Sequence, residues 1–196
     1  HQMVDIELES LHGVRQLLAG GEALSVMHLE QAARELKGCQ LINGYGPTEN
    51  TTFTCCYPVK PEERFAGTVP IGSPVSNTQV YILDDEFQPV PIGVVGQLYA
   101  GGDGLAIGYM NDSELTAERF VPDPLSGKSG ERLYRTGDLG RYSSDGTIEF
   151  LGRMDHQVKL RGQRIELGEI ENAIKKHLSV QDAVVMLQES IQGNKY

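Results

Sequence analysis

VRQLLAGGEALSVMHLEQAARELKGCQLINGYGPTE, residues 14–49, decides the fold class. Residues 14–19 (VRQLLA) are a short apolar run that reads as a buried strand. Gly20 and Gly21 break it, and Ser25 stands where a helix N-cap belongs. Val26, Leu29, Ala33 and Leu36 then recur at helical spacing, and Gly38 is a good C-terminal stop. Residues 40–43 (QLIN) read as the next strand. Strand, helix, strand in that order predicts the end of a βαβ layer. The second strand runs directly into Asn43-Gly44-Tyr45-Gly46-Pro47-Thr48-Glu49. Gly and Pro force a tight loop there. It presents an aromatic face, a hydroxyl and a carboxylate, the parts that stack a base, bond a phosphate and hold Mg²⁺. An ordinary strand-exit turn would need the same Gly and Pro.

Beyond residue 57 the texture changes. Gly and Pro punctuate four stretches of β-type sequence: TQVYIL (78–83), GQLYAG (96–101), RLYRTG (132–137) and TIEFLG (147–152). Strands at that spacing predict a small barrel or sandwich, interrupted by one helix over residues 113–120. Near Asp155 the texture changes again. HQVKLRGQRIEL reads as a β-hairpin about a Gly turn. Ile170, Ala173, Ile174 and His177 then share one helical face, and residues 182–187 (DAVVML) read as a strand. The expected organisation is residues 1–56 as the end of an α/β subdomain, 57–154 as a barrel-like β-rich subdomain, and 155–196 as an incomplete α+β unit. A unit of some 40 residues holds too small a core to stand alone.

The bulk properties narrow the function classes. The chain has 196 residues, 39% of them hydrophobic, and a formal net charge of -10. That charge argues against a general nucleic-acid binder, which needs clustered Lys and Arg. No apolar run nears the roughly 20 residues that span a bilayer. The three cysteines, two of them adjacent, fit free thiols in a cytoplasmic protein better than a disulfide framework or a zinc site.

Three further motifs bear on function. In Tyr134-Arg135-Thr136-Gly137-Asp138-Leu139, an Asp at a Gly turn can accept both hydroxyls of a ribose, or can simply form an Asx-turn between strands. Residues 152–171 (GRMDHQVKLRGQRIELGEIE) form a charged hairpin entering a helix. Residues 96–109 are Gly-rich but lack the GxGxxG-helix pattern of a phosphate cradle, so they read as barrel turns.

In this order the motifs closely resemble the core motifs of adenylation domains of nonribosomal peptide synthetases, within the wider acyl-adenylate-forming, AMP-binding family. The resemblance runs from residue 19 to at least Glu171. It implies a partial adenylating fold of that family. It also implies a two-step reaction: a carboxylate attacks the α-phosphate of ATP, giving acyl-AMP and pyrophosphate, and a phosphopantetheine thiol on a carrier domain then displaces AMP.

By the resemblance, Tyr45 stacks on adenine, Asn43 reads its amino edge, and Gly44 lies beside them. The backbone of Gly20, Gly21 and Glu22 packs on the other side of the base. Thr48 contacts the α-phosphate and Glu49 helps hold Mg²⁺. Asp138 binds the ribose, assisted by Arg153, and Phe150 stands where many relatives carry a tyrosine near the ribose. Asp155 matches the hinge, and Lys159 belongs to the thioester-forming state. Leu17, Ala19, Gly44, Thr52 and Phe53 match pocket positions; being mostly apolar, they suggest a small or medium aliphatic amino acid such as valine.

The family's phosphate loop falls upstream of residue 1, and its C-terminal catalytic lysine is not matched by Gly193-Asn194-Lys195, so the isolated chain is expected to be inactive. The partners implied are a peptidyl carrier domain, a condensation domain and an MbtH-like protein. The alternatives are a D-alanine–carrier ligase, an acyl-CoA ligase, or a non-catalytic docking piece. Apolar surface is expected around residues 14–19 and 40–43.

Overall fold

The computed structural model describes residues 2–65, 67–155, 157–160 and 163–188. They form two compact units, divided between Gly152 and Arg153.

The first unit opens with a short helix α1 (Gln2–Ile6) and a 3-10 turn (Leu8–Leu11). β1 (Gln16–Gly20), α2 (Val26–Glu35) and β2 (Gln40–Tyr45) follow, and the two strands pair in parallel with Gly20 opposite Gly44. That is the expected strand-helix-strand unit. α2 turns its apolar stripe onto the sheet, where Leu29, Ala32 and Leu36 join Leu8, Leu41, Val59 and Val69 in one core. Ala32 is buried on this face, and Ala33 packs partly buried beside it.

β1 is not the buried strand its sequence suggests. Among the described residues it has one neighbour, β2, and α2 covers one of its faces. Leu17 faces that core, while Leu18 remains 39% exposed. β3 (Cys55–Pro58) and β4 (Ser73–Pro74) then extend the sheet antiparallel, in the order β1-β2-β3-β4. These two short, Pro-ended strands escape a reading based on periodicity.

The second sheet contains β5 (Thr78–Leu83), β6 (Gly96–Gly102), β7 (Phe120–Pro122), β8 (Arg132–Tyr142) and β9 (Ile148–Arg153). It runs β5-β6-β8-β7, and β9 also pairs with β8. α3 (Ser113–Arg119) is capped by the Asp112 carboxylate, which accepts from Leu115 N at 2.9 Å. Two cores lie against this sheet, one around Ile82, Leu98 and Ile148, the other around Leu83, Tyr99 and Leu133. Ile148 stitches the sheets: its amide donates to the Gly72 carbonyl at 2.8 Å, and its carbonyl accepts from Ile71 at 2.9 Å.

The second unit is a hairpin, β10 (Gln157–Leu160) and β11 (Gln163–Glu166), leading into α4 (Leu167–Lys175). Its turn at Arg161 and Gly162 lies outside the described residues, as do Gly193, Asn194 and Lys195. The helical face of Ile170, Ala173, Ile174 and His177 is exposed rather than packed. Residues 182–187 are not a strand, because they find no ladder partner among the described residues. Instead the Val185 amide donates to the Glu171 carboxylate at 2.9 Å, and Lys175 pairs with Asp182 at 2.7 Å. No helix among the described residues is long and apolar enough to cross a membrane.

Candidate functional site

Asp138 sits inside β8, not at a turn between strands. Tyr99 pairs with Arg135 and Gln97 with Leu139, so Thr136, Gly137 and Asp138 together oppose Leu98 alone. Two extra residues make a bulge, and Gly137 takes the positive φ of 75° that such a bend requires. The Thr136 hydroxyl closes the gap. It donates to the Leu98 carbonyl at 2.7 Å and accepts from the Asp138 amide at 3.0 Å.

The bulge aims the Asp138 carboxylate at Tyr45, whose hydroxyl donates to it across 93 residues of sequence. Asp138 is 6% exposed. Burial, and then the Asp138 charge, push the Tyr45 phenol well above its ordinary pKa, so it stays a donor. The Tyr45 ring lies 6.1 Å from that of Phe150, tilted by 39°. The two aromatic positions and the carboxylate expected at the base and ribose are therefore neighbours.

Thr48 and Glu49 lie in a 3-10 turn (Thr48–Asn50) just beyond Tyr45. Thr48 is exposed, whereas Glu49 is 8% exposed and accepts from the Tyr109 hydroxyl at 2.7 Å. Burial and this bond push the Tyr109 phenol up as well. Thr51 and Thr52 follow with φ of 44° and 65°, a conformation β-branched residues rarely adopt. Close approach of the backbone holds them there. A side chain at Gly46 would put its Cβ 2.5 Å from the Thr52 carbonyl oxygen. Both polar atoms of the Asn50 amide and the Thr54 hydroxyl are buried with no hydrogen-bond partner among the described residues.

The other expected residues divide. Gly20 and Gly44 touch at the end of the β1-β2 pair, where a Cβ at Gly20 would meet the Gly44 oxygen at 2.1 Å. Gly44 packs under the Phe53 ring and Leu18. Leu17 and Ala19 alternate onto the opposite face, toward α2. Leu17 and Ala19 thus lie on the face opposite that of Gly44 and the Phe53 ring. Thr52 is exposed, Gly21 turns at φ 90°, and Glu22 is half-buried beside it. The Asn43 NH₂ is engaged internally, donating to the Pro70 carbonyl at 2.8 Å.

In the second unit, the Arg153 guanidinium forks onto Asp155, with Nε to Oδ1 and Nη2 to Oδ2 each at 2.7 Å. The Gln157 amide also donates to Asp155, at 3.2 Å. Lys159 lies on β10 opposite Arg164. Thr136 and Tyr109 hold Asp138 and Glu49, tasks that the motifs quoted above do not assign to them. A Gly inside a strand, which marks a bulge, was the available signal for the first.

Among the described residues no cluster of three His, Cys, Asp or Glu side chains could hold a metal alone. One carboxylate, Glu49, fits a Mg²⁺ whose other ligands are phosphates and water, the usual Mg²⁺ arrangement. A buried carboxylate that accepts from a phenol, whose ring neighbours that of Phe150, fits a nucleoside.

The family model described as AMP-binding enzyme matches residues 2–110. Tyrocidine synthase 3 of Brevibacillus parabrevis is 53% identical over 182 residues, which is 93% of this chain but 3% of that protein. Gramicidin S synthase 2 of Brevibacillus brevis is 50% identical over 187 residues, 95% of this chain and 4% of that protein. A solved NRPS protein containing adenylation and PCP domains superposes with a TM-score of 0.87 at 41% identity, covering 99% of this chain and 39% of that one. The chain therefore spans a few per cent of these curated relatives and about two fifths of that structure. With more than half its length under the family model, the chain belongs to the AMP-binding enzyme family, among the adenylation domains of nonribosomal peptide synthetases.

Proposed function

We propose that this chain is the nucleotide-reading part of a domain that joins an amino acid to AMP and then passes it to a carrier thiol. The observation that carries the reading is the Tyr45–Asp138 hydrogen bond, which joins the motif expected at the base to the one expected at the ribose.

In this reading Tyr45 stacks on adenine with Gly44 beside it, the backbone of Gly20, Gly21 and Glu22 packs on the base's other side, and Phe150 lies near the ribose. Asn43, its NH₂ held by the Pro70 carbonyl, helps read the amino edge of adenine. Asp138 accepts the ribose hydroxyls with help from Arg153. Thr48 meets the α-phosphate. Glu49 would hold Mg²⁺, which supplies charge neutralisation on the phosphates. A carboxylate oxygen of the amino acid attacks the α-phosphorus, and the bond to pyrophosphate breaks. The chain's residues position and stabilise; no protein nucleophile is required.

The domain boundaries proposed are those read from sequence: 1–56, 57–154 and 155–196. Asp155 is the pivot between half-reactions, and Lys159 serves the thioester-forming state, in which the phosphopantetheine thiol replaces AMP. Leu17, Ala19, Gly44, Thr52 and Phe53 favour a small or medium aliphatic substrate. A carrier domain, a condensation domain and an MbtH-like protein are the partners.

Calorimetric titration of the chain with AMP tests the reading. Binding should weaken about tenfold or more in Asp138→Asn, because ribose hydroxyls lose a charged acceptor. Equal AMP affinity in both proteins would refute it.

A further inference from the structure

The Gly-rich stretch around residues 101–110 has no task in the reading above, yet it is bonded to the Glu49 turn at three points. The Thr51 hydroxyl donates to the Gly104 carbonyl at 2.7 Å. The Ala106 amide donates to the Glu49 carbonyl at 2.8 Å. The Tyr109 hydroxyl donates to Glu49 Oε1 at 2.7 Å. Backbone and side chain of one acidic residue are thus both held by one loop.

That loop is itself anchored from behind. Arg132 donates to the Ile107 carbonyl at 3.0 Å. The Tyr109 amide donates to the Thr116 hydroxyl at 2.8 Å, and that hydroxyl donates to the Asp112 carbonyl at 2.7 Å. Gly108 sits so close to Thr116 that an added Cβ would lie 2.5 Å from its methyl carbon. The Tyr109 ring stands edge-on to Phe120 at 5.6 Å, and Phe120 packs on Tyr134 at 5.2 Å. Every torsion that places the Tyr109 hydroxyl is therefore constrained by α3 or by the aromatic row.

We propose that Tyr109 is a positioning residue for the metal-bound nucleotide: through its hydrogen bond it fixes the rotamer of Glu49, and the 101–110 loop is the frame that holds it there. One carboxylate oxygen is occupied by a rigid donor, so the group cannot swing between rotamers. Partners of this kind behind a metal-binding carboxylate are worth about tenfold or more in affinity. The inference rests on the proposed role of Glu49.

The test measures ATP binding to the chain with Mn²⁺ and with EDTA, and follows bound Mn²⁺ by electron paramagnetic resonance. The wild type should bind ATP more tightly with the metal, and Glu49→Gln should lose that gain. Tyr109→Phe should lose about tenfold of the same gain, leave AMP affinity within about twofold, and have no further effect in the Glu49→Gln background. A gain unchanged in Tyr109→Phe, or additive losses in the double variant, would overturn the inference while leaving the Glu49 reading intact. A metal gain that survives Glu49→Gln, or no gain in the wild type, overturns the Glu49 reading and the inference with it. If Tyr109→Phe does not fold, Thr116→Val, which keeps the phenol and loosens its turn, takes its place with the same expected direction. An unchanged gain there counts against the proposal.

Discussion

Replacing Thr136 with Val removes one oxygen from the bulge in β8 at nearly constant volume. That oxygen donates to the Leu98 carbonyl at 2.7 Å and accepts from the Asp138 amide at 3.0 Å. Thr136 is 3% exposed, so water does not replace it. Each bond contributes about 0.5–1.5 kcal/mol net, and a buried group left unpaired costs about 1–3 kcal/mol. Together these give a loss of about 2–4 kcal/mol. For a unit of this size each kcal/mol lowers Tm by about 2–4 °C, so the expected drop is about 4–16 °C. Thermal melting by circular dichroism measures it, and amide exchange at Asp138 should rise in parallel. Thr136→Ser keeps the hydroxyl and should recover most of the loss. A Tm within about 2 °C of wild type for Thr136→Val, or a Ser variant as unstable as Val, would refute the view that this hydroxyl holds the bulge closed.

Cys55 is fully buried, and burial, with Cys56 adjacent, pushes its thiol from 9.0 up to about 12. The thiolate is the reactive form, so at pH 8 Cys55 should label about a thousandfold more slowly than an ordinary thiol, and catch up only on unfolding. Gly72→Ala should destabilise by about 2–4 kcal/mol in urea titrations, because the new Cβ would lie 2.1 Å from the Cys56 oxygen at φ +86°. Gly146→Ala, at φ +85° with open space, should lose only about 1–2 kcal/mol. Ile148→Ala, at 0% exposure between the two sheets, should lose about 2–5 kcal/mol.

The parts of the fold that sequence shows well are those governed by local rules. β1, α2 and β2 follow from apolar spacing and the Gly38 stop, and the span of β5 matches TQVYIL residue for residue. What periodicity cannot show is the number of neighbours a strand will have. Among the described residues, β1, which looks buried as a string of letters, has a single partner in its sheet, and residues 182–187, which look like a strand, find no ladder. The site divides in the same way. Tyr45 and Asp138 each carry a motif, yet their contact depends on a bulge whose only sequence trace is Thr-Gly inside a strand. Tyr109 carries no signal, because its role comes from a loop 60 residues away in sequence from the carboxylate it holds.

The bulge in β8 adds two residues, not one. Side chains alternate with a period of two, so the strand leaves the bulge on the same parity with which it entered. Removing Thr136 and Gly137 together would restore an even ladder, with Asp138 opposite Leu98 and every other β8 residue still on its present face. Asp138 would then share the face of Leu98 and turn its carboxylate into the core around Ile82 and Ile148, without the Tyr45 donor. The two added residues thus keep one carboxylate out of that core and on a hydrogen-bond donor, while the rest of the strand keeps its faces.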